Sequence, residues 1–200
     1  MQKIIMIASS TGGPKALRSV IPRLPKSLDS IIVIIQHMPK GFTASLADNL
    51  KTEGGMHVEQ AVDGMQAFPG HVYIAEGGKQ LTLKQKFDRI YICEEEEKEG
   101  RILKPCADVT LESLAKLKNI DLTCIVMTGM GKDGKAGIIK LKESIVKKNE
   151  GEYKLWVIGQ DEKSCAVYGM PKAVAEAGLC DEVVSLKDMV KKIIQIAEKK

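Results

Sequence analysis

The chain has 200 residues, 44% of them hydrophobic, which suits one globular domain across residues 1–200 with a continuous core. Its net charge of +4 comes from lysines scattered over several segments, which excludes the concentrated basic footprint of a dedicated nucleic-acid binder. Only 4% of the residues are aromatic, while Ile, Val, Leu and Ala are plentiful, so an aliphatic core under a sheet covered by helices is expected.

The five cysteines, Cys93, Cys106, Cys124, Cys165 and Cys180, show neither CxxC spacing nor an even-numbered disulfide framework. Reduced thiols in a cytoplasm are the expectation. No apolar run approaches the roughly 18 residues that span a bilayer, and Ile4 to Ala8 is too short for a signal-peptide core, so no membrane insertion is expected.

Apolar runs of strand length fall at Ile4–Ile7, Ile31–Ile35, Val72–Ala75, Ile125–Met127 and Leu155–Ile158, with helical spacing between most of them. Parallel strands need crossovers, and right-handed helical crossovers on both faces give a doubly wound α/β fold. Its binding crevice lies at the carboxyl ends of the strands. Leu81–Leu83 and Arg89–Ile92 flank a short connection and predict a small antiparallel hairpin. The acidic run Glu94–Glu97 predicts a solvated loop. Lys142 to Lys154, with Asn149-Glu150-Gly151 at its centre, predicts a helix end and an exposed loop. Leu186 to Ala197 places Met189, Ile193 and Ile196 on one face of a terminal helix.

The residues that directly follow the strands carry the chemistry. Ile7-Ala8-Ser9-Ser10-Thr11-Gly12-Gly13-Pro14 turns a strand into a helix through small residues, with Pro14 suited to the first helical turn. A serine here can act as a nucleophile beside helix-end amides, or Ser9, Ser10 and Thr11 can simply cap the helix. The nucleophilic reading needs a base. His37 follows the strand Ile31–Ile35 and falls at the same sheet edge, although a histidine there can also be an ordinary strand-end residue. His57 and His71 fall elsewhere and read as structural.

Ile125-Val126-Met127-Thr128 runs into Gly129-Met130-Gly131-Lys132-Asp133-Gly134-Lys135 and supplies a carboxylate, Asp133, at a third strand end. It can orient a histidine, or cap the helix that follows. The same turn nearly matches the phosphate-binding pattern GxxxxGK[ST]. Ala136 replaces the hydroxyl that would hold magnesium, and Asp133 would repel phosphates, so nucleotide binding is the lesser reading.

These segments together resemble the catalytic domain of the CheB family of protein-glutamate methylesterases. The resemblance rests on ASSTGGPKAL (Ala8 to Leu17), QHMPKGFTASLA (Gln36 to Ala47), PGHVYIA (Pro69 to Ala75), TGMGKDG (Thr128 to Gly134) and YGMPKAV (Tyr168 to Val174). It implies a serine hydrolase with Ser10 as nucleophile, His37 as base and Asp133 as the orienting carboxylate. The Met130 amide would be an oxyanion donor, and Thr11 a neighbour that positions the histidine. It further implies demethylation of glutamyl methyl esters on the cytoplasmic helices of chemotaxis receptors, deamidation of specific glutamines, and no metal or organic cofactor.

The pattern is not followed everywhere. Lys104-Pro105-Cys106 stands where the family has Arg-Pro-Ser, Glu76 where it has proline, and Gln80 where a histidine is usual. Ser9 stands where alanine is usual, and the receiver domain common ahead of the catalytic domain is absent from this sequence. These departures keep open an esterase or amidase with the same triad acting on a substrate other than a receptor.

Overall fold

The computed structural model describes residues 1–95, 103–146 and 153–198. Ten strands are present among them: β1 (Gln2–Ser9), β2 (Ile31–Gln36), β3 (His57–Gln60), β4 (Gln66–Ala67), β5 (His71–Ile74), β6 (Gln80–Lys86), β7 (Arg89–Glu95), β8 (Ile120–Val126), β9 (Tyr153–Gln160) and β10 (Glu182–Val184). Six α-helices accompany them: α1 (Gly13–Val20), α2 (Phe42–Glu53), α3 (Ala107–Leu114), α4 (Lys135–Ile145), α5 (Met170–Ala175) and α6 (Leu186–Glu198).

Seven strands form one sheet in the order β10-β9-β8-β1-β2-β5-β3, with every neighbouring pair parallel. The expected α/β architecture is therefore present, and all five predicted core strands lie in this sheet. Strand side chains alternate between faces. Ile4, Met6 and Ala8 of β1 enter one core with Leu111 of α3, Ile138 and Leu141 of α4, and Val174 of α5. Ile5 and Ile7 enter the other with Leu17 and Val20 of α1, Leu50 of α2, and Met189 and Ile193 of α6. Burial on both faces explains why β1 and β2 read as unbroken apolar runs rather than alternating ones. Each fully buried Ile or Leu among them contributes about 1.5–3 kcal/mol of transfer free energy.

The predicted hairpin is β6 and β7, paired from Gln80↔Glu95 to Lys86↔Arg89, with the short β4 added alongside to make a three-stranded antiparallel sheet. Leu81, Leu83, Ile90 and Ile92 on its inner side join the first core. Three strands escaped the sequence reading. β4 and β10 are only two and three residues long, and β3 is an edge strand whose sequence, His-Val-Glu-Gln, is mostly polar. The acidic run is divided: Glu94 and Glu95 end β7, with Glu94 bound to Lys79 at 2.7 Å, so these two are strand residues rather than a solvated loop. The rest of that run, and Asn149-Glu150-Gly151, lie outside the described residues. In α6, Met189 and Ile193 are buried as expected, and Ile196 packs at the margin beside buried Ala197. No described helix is long and apolar enough to cross a membrane.

The strand order positions the site. The chain enters the sheet at β1, adds β2, passes to the edge strand β3, comes back to place β5 between β2 and β3, then returns to add β8, β9 and β10 on the other flank. α1, after β1, packs on one face, while α4, after β8, packs on the other. The two connections diverge at the carboxyl ends of β1 and β8, the switch point at which doubly wound sheets hold ligands.

Candidate active site

Ser10 is the first residue beyond β1, and its amide donates to the carbonyl of Thr128, beyond β8, at 3.0 Å. On the other flank, Ser9 pairs with Gln36, and the His37 amide donates to the Ser9 carbonyl at 3.0 Å. Ser10 and His37 therefore continue the β1–β2 register side by side, on strands about 4.8 Å apart.

A buried amide fastens the two turns together. Gln36 is 1% exposed; its Nε2 donates to the carbonyl of Ser10 at 3.0 Å and to that of His37 at 3.1 Å, while its Oε1 accepts from the Ser9 hydroxyl at 2.7 Å. This bridge crosses directly over Gly13, where a Cβ would stand 1.9 Å from Gln36 Oε1. Glycine is required there by close approach. The hydroxyls do not cap α1: its N-cap is Gly12, with no side-chain cap bond, so the capping reading of Ser9, Ser10 and Thr11 is set aside. Ser9 spends its hydroxyl on Gln36 instead.

The loop after β8 closes the other side. Gly129 lies against Ser10, so closely that a Cβ there would be 2.8 Å from the Ser10 Cβ. Its carbonyl accepts from the amides of Gly169 and Met170, which ties the Tyr168–Val174 segment to the loop. Among the described residues the Met130 amide donates to no protein group, and its side chain projects into solvent, 70% exposed. Thr11 is exposed, and its carbonyl accepts from Thr128 Oγ1 at 3.0 Å; no bond from its side chain to His37 is present among the described residues.

His37 Nε2 lies 2.7 Å from Asp133 Oδ2, with both side chains largely buried. An ionised carboxylate at this distance favours the tautomer with the ring proton on Nε2, which leaves Nδ1 as an acceptor. Ser10 Oγ forms no hydrogen bond with His37 among the described residues.

Asp133 also binds backbone far from it in the chain. Its Oδ2 accepts from the Ala107 amide at 2.7 Å; its Oδ1 accepts from the Asp108 and Gly134 amides, each at 3.0 Å, and from the Cys106 thiol at 3.2 Å. It thus caps α3, not α4, the helix that follows it. Burial works against its charge, yet the bonds from His37, Ala107, Asp108 and Cys106 outweigh that and hold the carboxyl at about 2. Burial first, then the Asp133 charge, push the Cys106 thiol up to about 11. Such a thiol is protonated and unsuited to nucleophilic attack.

Cys106, Asp108 and Asp133 offer ligand atoms within 4.8 Å of one another. Both carboxylates already accept backbone amides, so this trio is satisfied without an ion. A depression of about 760 Å³ opens beside it, lined by Cys106, Asp133, Ala136 and Ile139. Neither Ser10 nor His37 lines that depression, which sits behind the carboxylate.

The departures have local structural roles. Gln80 is buried, and its side chain binds the Leu103 carbonyl at 2.7 Å and the Cys106 amide at 2.9 Å, which holds the segment ahead of α3 in place. Glu76 pairs with Lys79 at 2.6 Å. The residues missed from the sequence are Gln36, Ser9 and Asp108. A polar residue closing the otherwise apolar strand Ile31–Gln36 was the one available signal for the first of them.

A family model described as CheB methylesterase matches residues 5–193. Over 200 aligned residues the chain is 40% identical to protein-glutamate methylesterase/protein-glutamine glutaminase 1 of Syntrophomonas wolfei, covering 98% of this chain and 54% of that protein. It is also 40% identical to the protein-glutamate methylesterase/protein-glutamine glutaminase of Bacillus subtilis, covering 99% of this chain and 53% of that one. The chain thus spans about half the length of the curated relatives it matches. The crystal structure of the Thermotoga maritima CheB methylesterase catalytic domain is similar with a TM-score of 0.88 at 38% identity, covering 98% of this chain and 99% of that one.

Proposed function

The chain belongs to the CheB methylesterase family, and from that premise we propose that residues 1–200 act as one catalytic domain, a serine hydrolase that demethylates glutamyl methyl esters on chemotaxis receptors. The observation that carries this reading is the 2.7 Å pair between His37 Nε2 and Asp133 Oδ2, held one strand away from Ser10.

Ser10 Oγ attacks the ester carbonyl and passes its proton to His37 Nδ1. The imidazolium that forms is stabilised by Asp133, which remains ionised throughout. The tetrahedral oxyanion takes a hydrogen bond from the Met130 amide. His37 then protonates the departing methoxide, methanol leaves, and water hydrolyses the acyl-enzyme to glutamate. A glutamine side chain in the same position would lose ammonia, which gives the deamidation named for the relatives. Thr11 borders the nucleophile and helps to shape the approach to His37.

The substrate is the methylated cytoplasmic helix of a receptor, so the enzyme works in the cytoplasm at the membrane surface without entering the bilayer. The test is methanol release from receptor membranes carrying labelled methyl esters. Wild-type protein should release methanol and Ser10→Ala should not, with the fold unchanged. Release that persists in Ser10→Ala moves the nucleophile elsewhere. Hydrolysis of small esters without release from receptors replaces the substrate while keeping the triad.

A further inference from the structure

A second cluster of titratable side chains lies at the other end of the sheet. His57 and His71 are the first residues of β3 and β5, whereas Ser10 and His37 follow the last residues of β1 and β2, so the two sites occupy opposite edges of a parallel sheet. His57 and His71 are direct register partners, with ring centroids 4.3 Å apart. Glu59, two residues along β3, projects from the same face. Its Oε1 lies 3.2 Å from His57 Nε2 and 3.7 Å from His71 Nδ1. His71 Nδ1 is buried and has no hydrogen-bond partner.

We propose that His57, Glu59 and His71 form a binding site for one divalent transition-metal ion of the zinc class. Two imidazoles and a carboxylate are a donor set that Zn²⁺ and Co²⁺ accept and that Mg²⁺ and Ca²⁺ do not favour. The spacing fits. A tetrahedral ion with bonds of roughly 2.0–2.2 Å holds neighbouring ligand atoms about 3.3 Å apart. The 3.2 and 3.7 Å separations bracket that edge, and one ligand atom from each of the three residues falls within 4.8 Å of the others. Small side-chain rotations complete the site.

A carboxylate that merely bridged two histidines would leave His71 Nδ1 unpaired, because 3.7 Å is beyond a hydrogen bond. An ion satisfies that nitrogen. Three protein ligands leave a fourth position, and a depression of about 460 Å³ beside His57 and His71 is lined also by Lys26 and Lys51. Their charges favour an anionic fourth ligand, such as hydroxide or chloride, over neutral water. Bound there, the ion joins the edge strand β3 to β5 and stabilises the flank of the sheet far from Ser10.

The experiment is a titration of the metal-free protein with Co²⁺, followed by its visible ligand-field bands, and with Zn²⁺ by calorimetry. One equivalent should bind, at least about tenfold more weakly in both His57→Gln and His71→Ala, and unchanged in Cys106→Ser, which alters the other cluster. Zn²⁺ should raise the melting temperature of the wild type and of Cys106→Ser but not of the two histidine variants. Circular dichroism of each metal-free variant separates lost ligation from lost folding. No binding by the wild type at millimolar metal overturns the proposal. So does binding that folded histidine variants retain, or that Cys106→Ser abolishes.

Discussion

Asp108 and Asp133 cap each other's helices. Asp133 accepts the amides of Ala107 and Asp108 at the start of α3, and Asp108 Oδ1 accepts those of Gly134 at 2.9 Å and Gly137 at 2.6 Å at the start of α4. Each carboxylate sits at the positive end of a helix, where negative charge is favoured. The exchange couples Asp133, the proposed orienting carboxylate, to the packing of two helices on one face of the sheet.

Replacement of Asp108 by Ala should therefore damage the site without touching the proposed triad. The Gly137 amide at the head of α4 would lose its side-chain acceptor, at a cost of about 1–3 kcal/mol when buried, while the Gly134 amide would keep only Asp133 Oδ1. The loop that carries Asp133 would loosen with them. Urea unfolding should show the loss of stability, and methanol release should show a lower kcat with KM little changed. A stable Asp108→Ala variant with normal kcat would separate the reciprocal caps from the site.

Asp133→Asn tests the carboxylate itself. The amide keeps one acceptor oxygen, enough for the Ala107 amide or the Asp108 amide but not both, and cannot stabilise an imidazolium, so kcat should fall by about 10⁴ in protein that circular dichroism shows to be folded. Its acid response follows from the same bonds. With its folded carboxyl at about 2 against an ordinary 3.8, Asp133 contributes stability that is fully present above the ordinary value. That contribution is lost as the pH falls through 3.8 to about 2. Its size is on the order of 2 kcal/mol. Asp108 acts in the opposite sense: burial first, with the Asp133 charge adding to it, raises its carboxyl, so protonating it offsets part of the loss. Urea midpoints from pH 6 down to pH 2 should show the wild type losing its lead over Asp133→Asn below about pH 4. A lead independent of pH would contradict this account.

The fold was legible where the sequence is strongly patterned. Buried parallel strands such as Ile31–Gln36 need unbroken apolar runs, and the Gly-rich turns after β1 and β8 marked where those strands hand over to helices. The edge strand β3 carried no such pattern, because one flank of it is exposed and His57, Glu59 and Gln60 are polar. Ser10, His37 and Asp133 could be placed at one edge because each directly follows a strand or its loop. The clamp at Gln36 and the reciprocal caps could not, since both depend on contacts between residues 26 or more positions apart.

Gly13→Ala should be unusually costly for so small a change. The added methyl would lie 1.9 Å from Gln36 Oε1 and 2.9 Å from Ser9 Oγ, so the buried amide must leave its place between the Ser10 and His37 carbonyls. Stability should drop by about 1–3 kcal/mol, as expected for breaking buried hydrogen bonds, with a loss of activity larger than that of Gln36→Ala. Gln36→Ala removes the clamp but leaves the turn unobstructed. Equal unfolding midpoints for wild type and Gly13→Ala would show that the turn can shift to accept a methyl group.

Cys106 provides a chemical test of how the carboxylate is buried. Its thiol, raised to about 11 and donating to Asp133 Oδ1, should be less than roughly 1% ionised at pH 8, so iodoacetamide should modify it slowly. Treatment of the native protein should leave esterase activity nearly intact, while unfolding in guanidinium should expose the thiol to rapid alkylation. Cys106→Ser replaces a weak donor with a stronger one, holds the same Asp133 oxygen, and should keep activity within about twofold. Rapid alkylation of native Cys106 with loss of activity would mean that the thiol is ionised and that the carboxylate is less tightly held than its five donors indicate.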